Sequence, residues 1–304
     1  MKRAMLAVLA VTFVGGLAFA QTEADFTVTL TKDGQGVVIK KYTGKATQVV
    51  IPAQIQGMSV REIGDSAFYD PYGSGMTRIT SVAIPAGVTS IGPLAFNYAR
   101  NLASVTMPPS VTEIGEQAFS ATAITEITLP ASLSRAGHSI FSSCSKLEKV
   151  TIPEGVRVIG ADMFYGTAIK TISIPSTVTI IGAGAFHDAK QLENIILPPG
   201  ITTIAKEVFR NCDALTSIIV PEGVTKIGER AFSGCDVLTS FTLPSAIQEI
   251  VELAFVDCPS LVTVTIPDSV KQIKFTGEDP FRDCPKLNLA SQAALRRVGY
   301  TGNF

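Results

Sequence analysis

The sequence has no tryptophan, only two histidines and almost no net charge. Its 25 Lys and Arg residues nearly balance 26 Asp and Glu residues, which leaves a formal charge of −1. A chain this close to neutrality offers no broad electrostatic reason to bind nucleic acid or an anionic membrane. Two histidines and no C-x-x-C pair also make a zinc site hard to assemble. We therefore expect no nucleic-acid partner, no metal and no cofactor.

Long apolar runs are absent beyond Ala20. Lys2 and Arg3 precede an uncharged, almost wholly apolar stretch, and Ala18-Phe19-Ala20 then gives the small-x-small pattern of a cleavage site. The stretch is short for a bilayer core of about 30 Å. Residues 1–20 are therefore predicted to be a cleaved signal peptide, and no transmembrane segment is expected after cleavage. We expect export to the periplasm, the outer surface or the extracellular medium.

Proline, by contrast, is frequent and recurs at a nearly fixed spacing. After a longer first gap, an aliphatic residue followed by proline returns about every 23 residues. A phenylalanine keeps the same period, and the unit is roughly L-x-x-I-x-I-P-x-x-V-T-x-I-G-x-x-A-F-x-x-C-x-x. A repeat this regular indicates a solenoid. The prolines are Pro52, Pro85, Pro108, Pro130, Pro153, Pro175, Pro198, Pro221, Pro244 and Pro267, and the phenylalanines are Phe68, Phe96, Phe119, Phe141, Phe164, Phe186, Phe209, Phe232, Phe255 and Phe281.

Each repeat contains two extended segments and a return. In "LTSIIVP", Leu215 and Ile218 point inward, Ser217 and Ile219 point outward, and proline ends the strand. "VTKIG" supplies a second, shorter extended piece, and "ERAF" is expected to return the chain as a short helical turn with its Phe inside. One unit cannot bury its apolar side chains alone, whereas stacked units can. We predict an α/β repeat solenoid, a right-handed coil of about ten repeats with a parallel β-sheet on its concave face and a phenylalanine spine.

The motif L-x-x-I/V-x-I/L-P-x-x-V-x-x-I-G-x-x-A-F resembles the 23-residue leucine-rich repeats of BspA-like surface proteins of treponemes and oral anaerobes. The resemblance covers about residues 45–289. It implies a secreted or surface protein that binds other proteins, including host matrix components, and takes part in adhesion and host recognition. One departure is the lack of a recurring Asn at the concave turn. Nearby positions carry Gly or Ser instead, so other groups must cap that turn: Gly155, Gly200, Gly223, Ser110, Ser132 and Ser269.

The segments outside the repeats are expected to cap them. Residues 21–44 alternate around Lys32-Asp33-Gly34 and predict a β-hairpin cap. Residues 45–289 form the leucine-rich repeat domain, and residues 290–304 are predicted to form a helical cap. The first repeat also contains the lengthened segment "YDPYGSGMTR". This segment could be a contact loop, through Tyr69, Tyr72 and Met76, or it could serve cap packing.

The five cysteines follow the repeat rather than any catalytic spacing. Each lies three residues after a spine Phe, where other repeats carry Ala or Thr: Cys144, Cys212, Cys235, Cys258 and Cys284. A position that accepts Cys, Ala or Thr is small and buried. We expect free buried thiols, while one disulfide between adjacent repeats stays open because the chain is exported. The two histidines, His138 and His187, have no Ser or Cys partner at a motif spacing, and His187 is expected to point to solvent. No catalytic residues are predicted, and the protein is not expected to be an enzyme.

The outward positions of the concave strands are the candidate binding surface. They are mostly Ser and Thr, which exposed strands favour regardless of function. Ile196 and Ile219 are different, because they are adjacent exposed isoleucines on neighbouring repeats and could mark a contact site. We hypothesise that a protein partner docks around Asn194, Ile196, Ser217 and Ile219. The wider candidate set adds Thr171, Ser173, Ser240 and Thr242.

Two functions are compatible with these features. The leading interpretation is a non-enzymatic secreted or surface protein-protein interaction module, adhesin-like, that binds host or extracellular-matrix proteins through the concave face. The alternative is a periplasmic scaffold or carrier that binds a small apolar ligand or another envelope protein.

Overall fold

A computed structural model describes residues 21–69 and 78–303 of the chain. The predicted signal peptide, Tyr72 and Met76 lie outside the described residues. The described part of the chain begins with a 3₁₀ turn at Glu23–Asp25 and two antiparallel strands, β1 (Phe26–Leu30) and β2 (Val37–Tyr42). β2 then pairs in parallel with the first strand of the coil, so the hairpin lies over the end of the solenoid.

The rest of the chain winds in a coil, and each turn of the coil is called a rung. Every rung carries one short strand on the concave side, which an aliphatic-Pro step ends. These strands are β3 (Gln48–Val50), β6 (Ser81–Ala83), β8 (Ser104–Thr106), β10 (Glu126–Thr128), β12 (Lys149–Thr151), β14 (Thr171–Ser173), β16 (Asn194–Ile196), β18 (Ser217–Ile219), β20 (Ser240–Thr242) and β22 (Thr263–Thr265).

After the proline corner, each rung adds a second strand. In the first rung a short strand, β4 (Gln54–Ile55), pairs antiparallel with it. The second strands are β5 (Met58–Ile63), β7 (Ser90–Ile91), β9 (Glu113–Ile114), β11 (Arg135–Ala136), β13 (Val158–Ile159), β15 (Ile180–Ile181), β17 (Thr203–Ile204), β19 (Lys226–Ile227), β21 (Glu249–Ile250) and β23 (Lys274–Phe275). The pairing from rung to rung is parallel, as the stacked repeat predicts.

The spine phenylalanines form one continuous column. From Phe68 to Phe281, consecutive ring centroids lie 4.6–6.0 Å apart with nearly parallel planes. Tyr42 stacks on the first ring at 5.3 Å, and Tyr300 meets the last ring edge-on at 5.6 Å. The predicted solenoid with an internal aromatic spine is therefore confirmed.

The segment around each spine Phe is not the short helical turn predicted from "ERAF", and that prediction is wrong. The residues two before and two after the Phe adopt left-handed backbone angles, for example Gln117 (φ 52°) and Ala121 (φ 55°) around Phe119. The backbone N–H groups of these three residues donate to carbonyls of the next rung at 2.8–3.0 Å. The residues between them bond within the turn, since Ala118 N–H donates to the Gly115 carbonyl at 3.4 Å and Ser120 N–H to the Gln117 carbonyl at 3.1 Å. Bonds between rungs thus alternate with bonds within the turn, which differs from the continuous ladder of a helix.

The concave strands fall into four separate parallel sheets rather than one: β3-β6-β8, β10-β12, β14-β16-β18 and β20-β22. The first two divisions lie where the repeat is one position shorter than usual, between Pro108 and Pro130 and between Pro153 and Pro175. The missing position lies between the spine Phe and the strand, and its loss changes how the strand approaches its neighbour. The third division follows a repeat of the usual length, so repeat length does not account for it.

Both edges of the concave face are covered by polar side chains. At the first strand, the Gln21 carboxamide accepts from Val50 N–H at 2.6 Å and donates to the carbonyl of Gln48. At the last strand, the buried hydroxyl of Ser291, in helix α1 (Leu289–Arg297), accepts from Val264 N–H at 2.9 Å. An exposed strand edge invites pairing with other chains. These two side chains occupy the edge groups instead.

Candidate functional site

The concave face places the candidate residues in two columns. β14, β16 and β18 pair in parallel, so that Asn194 lies beside Ser217 and Ile196 beside Ile219. The alternation of a strand puts Ile195 into the core, where it is 2% exposed, and leaves Ile196 outside. Thr171 and Ser173 continue the same columns on β14.

Ile196 and Ile219 are each 62% exposed. Fully burying an isoleucine side chain stabilises by about 1.5–3 kcal/mol. A partner that covers both exposed portions would therefore gain about 2–4 kcal/mol from this pair. The pair is the largest apolar feature of the candidate set.

The remaining candidates are less closely associated with this pair. Ser240 and Thr242 are exposed on β20, which pairs with β22 and begins the next sheet. Tyr69 follows the spine residue Phe68, away from the concave strands, and its ring lies 6.3 Å from that of Tyr98. Arg100 lies over the Tyr98 ring at 5.5 Å. Sequence reasoning missed this aromatic contact, because nothing in the sequence pairs Tyr98 with Tyr69.

The concave turns are capped by hydroxyl groups that reach back one rung. Ser110 Oγ donates to the carbonyl of Val88 at 2.7 Å and accepts from Gly87 N–H at 3.2 Å. Thr177 Oγ1 makes the same two bonds, to the carbonyl of Val156 at 2.8 Å and from Gly155 N–H at 3.1 Å. These are the groups that stand in for the missing Asn.

Replacing Thr177 by valine should lower the free energy of unfolding by about 1–2 kcal/mol, because it removes both bonds while keeping the shape of the side chain. Urea denaturation followed by circular dichroism measures this change. Thr179→Val is the matched control, since Thr179 is exposed two residues further along. Equal stability of the two variants would contradict the capping role.

The cysteines are free and buried. All five thiols donate to the carbonyl of the spine Phe one rung before. The bond is 3.2 Å from Cys212 Sγ to Phe186, 3.2 Å from Cys235 Sγ to Phe209 and 3.1 Å from Cys144 Sγ to Phe119. Burial raises the pKa of the Cys212 and Cys235 thiols. A buried, protonated thiol is a poor nucleophile and a poor metal ligand.

The expectation that His187 points to solvent is wrong. Its side chain is only 16% exposed and lies 3.7 Å from the Asp188 carboxylate, and the ring meets Tyr165 edge-on at 4.9 Å. Burial acts to raise the pKa of Asp188, but hydrogen bonds from Asn211 and Tyr165 outweigh it and leave that pKa below its usual value. His138 is exposed on another rung.

Other features of the described residues offer little for chemistry. No group of three or more His, Cys, Asp or Glu side chains among residues 21–69 and 78–303 is arranged to hold a metal ion. In the same part of the chain, no helix has the length and hydrophobicity to cross a membrane. A concave groove of about 670 Å³ lies around Val105, Met107 and Ile127, where β8 and β10 belong to different sheets. The ion pair between Lys149 and Glu126, at 3.8 Å, lies at its rim.

Comparison with known proteins identifies the repeat. A family model described as "BspA type Leucine rich repeat region (6 copies)" matches residues 61–188 and 157–288. These overlapping ranges cover most of the chain and include every candidate residue of the concave face. No curated protein matches the chain.

Two solved structures share the fold, and a third aligns over most of the chain with a lower TM-score. The leucine-rich repeat protein TpLRR of T. pallidum is 26% identical, and the alignment covers 93% of this chain and 98% of TpLRR with a TM-score of 0.51. The pneumococcal vaccine antigen PcpA is 20% identical, with 85% and 84% covered and a TM-score of 0.50. A leucine-rich cell surface protein from Faecalibacterium prausnitzii A2-165 is 25% identical, with 95% and 99% covered and a TM-score of 0.48.

Proposed function

Since the chain belongs to the BspA-type leucine-rich repeat family, we propose that it is a secreted or surface module, adhesin-like and non-enzymatic, that binds a host or extracellular-matrix protein through its concave face. The binding surface consists of Asn194, Ile196, Ser217 and Ile219, with Thr171 and Ser173 beside them. The observation that carries the proposal is the in-register pair of isoleucines, both 62% exposed on a face whose other outward residues are mostly Ser and Thr.

The surroundings of the isoleucine pair favour a protein partner over a small molecule. Asn194 and Ser217 provide hydrogen-bonding groups next to the apolar pair, and the strands hold all four side chains on a rigid sheet. Binding energy in protein interfaces concentrates in a few centrally buried side chains within a polar rim. The concave groove near Val105 is open to solvent, so a carrier of small apolar ligands is less well supported.

Substituting both isoleucines by aspartate should weaken partner binding at least tenfold. Each change replaces apolar contact area with a charge that the partner would have to desolvate. We expect at least a tenfold loss of affinity for whichever matrix protein binds, a factor that corresponds to about 1.4 kcal/mol. The measurement is surface plasmon resonance over immobilised fibronectin, laminin and collagen.

The matched control is Thr128→Asp with Thr151→Asp. It puts the same two charges at the same column position on β10 and β12, which pair in register. This control should bind like the wild type if the site is local. Unchanged binding by the folded Ile196→Asp/Ile219→Asp variant would refute the site, and wild-type protein that binds none of the three matrix proteins would count against the matrix partner.

A further inference from the structure

The second strands present their own outward column of side chains. One outward residue per rung belongs to it, and parallel pairing within each sheet sets neighbours of the column side by side. We name the residues from the third rung onward the lateral column, and Glu62 and Ser90 precede them in register on the first two rungs. The lateral column consists of Glu113, Arg135, Val158, Ile180, Thr203, Lys226, Glu249 and Lys274.

Charges occupy the two ends of the lateral column. Arg135 Nη1 lies 3.0 Å from Glu113 Oε1 at one end. At the other end, the Glu249 carboxylate lies between Lys226 Nζ at 2.7 Å and Lys274 Nζ at 3.1 Å. The hydrogen bonds from these two lysines lower the pKa of Glu249, so it is charged at neutral pH.

The centre of the column is uncharged and partly apolar. Val158 and Ile180 are neighbours in register and are 38% and 55% exposed. Thr203 follows on the next rung. The column therefore runs in the order acid, base, three uncharged side chains, base, acid, base.

This order complements itself under a two-fold rotation about an axis between Ile180 and Thr203. The rotation sets Glu113 opposite Lys274 of a second copy, and Arg135 opposite Glu249 of that copy. Two-fold symmetry makes each contact twice. We infer that the lateral column is the interface of a homodimer, which four ion pairs between copies hold in one register.

Some other registers are disfavoured by the same charges. If the axis passed through Ile180, Arg135 would face Lys226 and Glu113 would face Glu249 of the second copy, so like charges would meet. Like charges across an interface suppress the wrong arrangement. One other alignment also keeps like charges apart, because an axis between Val158 and Ile180 sets Glu113 opposite Lys226 and Glu62 opposite Lys274 of the second copy. The mixing experiment below distinguishes the two, since in that alignment the mixed variants would meet like charges and would not associate.

The uncharged centre fits the same alignment. Ile180 lies opposite Thr203 of the second copy, and Val158 lies opposite Lys226, whose hydrocarbon stem can cover it. Arg157, next to Val158, gains no acidic counterpart and opposes association.

At about 4.8 Å per strand, the contact from Glu113 to Lys274 extends about 34 Å. Exposed ion pairs are individually weak and are screened by salt, so the dimer should be weak and sensitive to ionic strength.

Mixing two charge variants tests the dimer directly. Glu113→Lys alone places lysine opposite Lys274, and Lys274→Glu alone places glutamate opposite Glu113, so each purified variant should be monomeric where the wild type dimerises. An equimolar mixture should form a heterodimer, because lysine at 113 then faces glutamate at 274 and the native Lys274 faces the native Glu113. Sedimentation equilibrium over a concentration series gives the mass, and native mass spectrometry identifies the mixed species.

Each outcome is decisive. A wild type that stays monomeric at every concentration, single variants that still dimerise, or a mixture that does not associate would overturn the proposal. Both substitutions lie at exposed or half-buried side chains, and urea midpoints check that folding is retained. The dimer uses a different face from the concave site, so Ile196→Asp/Ile219→Asp should dimerise like the wild type. Failure of one proposal therefore leaves the other standing.

Discussion

Replacing Phe164 by alanine should lower the free energy of unfolding by about 3–5 kcal/mol. The ring is fully buried and stacks between Phe141, 6.0 Å away, and Phe186, 5.6 Å away. Truncation leaves a cavity with apolar walls on both sides, and stacked rungs have little freedom to close it because their backbones are hydrogen-bonded to each other. Urea denaturation followed by far-UV circular dichroism measures the loss.

The solenoid architecture sharpens this prediction. Each rung contacts only its neighbours, so a defect at Phe164 weakens two interfaces in the middle of the stack and can separate the unfolding of its two halves. Val158→Ala, at an exposed position of the same rung, should change stability by less than about 1 kcal/mol. A loss below about 1 kcal/mol for Phe164→Ala would mean that the ring is not held in a closed column.

The spine and the two strands per rung could be predicted because they depend on period alone. Side chains that must lie inside every rung recur at one position, and Phe at ten such positions leaves no other arrangement that buries them all. The exposure of Ile196 and Ile219 follows from the strand alternation in the same way. Their role in binding could not be predicted in this way, because the repeat pattern indicates which side chains are buried and not which of them contact a partner.

The left-handed turns beside the spine could not be predicted from residue types. Leu94, Gln117, Arg230 and Leu253 all take positive φ angles between 49° and 57°, although such residues rarely do. Glycine and asparagine would have been a signal, but most of these positions carry other residues. Hydrogen bonds to the next rung impose this conformation, and these bonds form only when rungs are stacked.

The lateral column was also hidden in the sequence. Its members lie five residues after each proline until the last rung, where that place belongs to Gln272. The structure instead pairs Glu249 with Lys274, two residues further along the chain. Counting from proline therefore ends the column on a neutral residue and conceals its charge symmetry.

The native protein should resist thiol reagents almost completely, and all five cysteines should react once it is unfolded. The side chains are 0–4% exposed, and only the thiolate attacks a disulfide or an alkylating reagent. Burial raises the pKa of Cys144, Cys212 and Cys235, and the pKa of Cys258 is raised by its hydrogen bond with the Cys284 thiol and by burial. Reaction in buffer at pH 8, with and without denaturant, counts the accessible thiols. Cys284, beside a groove at the end of the coil, should react first.

The same raised pKa values predict a loss of stability in alkali. A thiol whose pKa is higher in the folded state stays protonated there while the unfolded chain releases its proton, so stability is fully present below the ordinary pKa of about 9 and falls as the pH rises above it. Each such thiol removes up to about 1.4 kcal/mol of stability per pH unit.

The double variant Cys212→Ala with Cys235→Ala should weaken this pH dependence and leave three reactive thiols. It should lose little stability at neutral pH, because Ala99 and Ala189 occupy the same repeat position. Only three reactive thiols in the unfolded wild type would mean that two cysteines of adjacent rungs had formed a disulfide, against the five free thiols seen here.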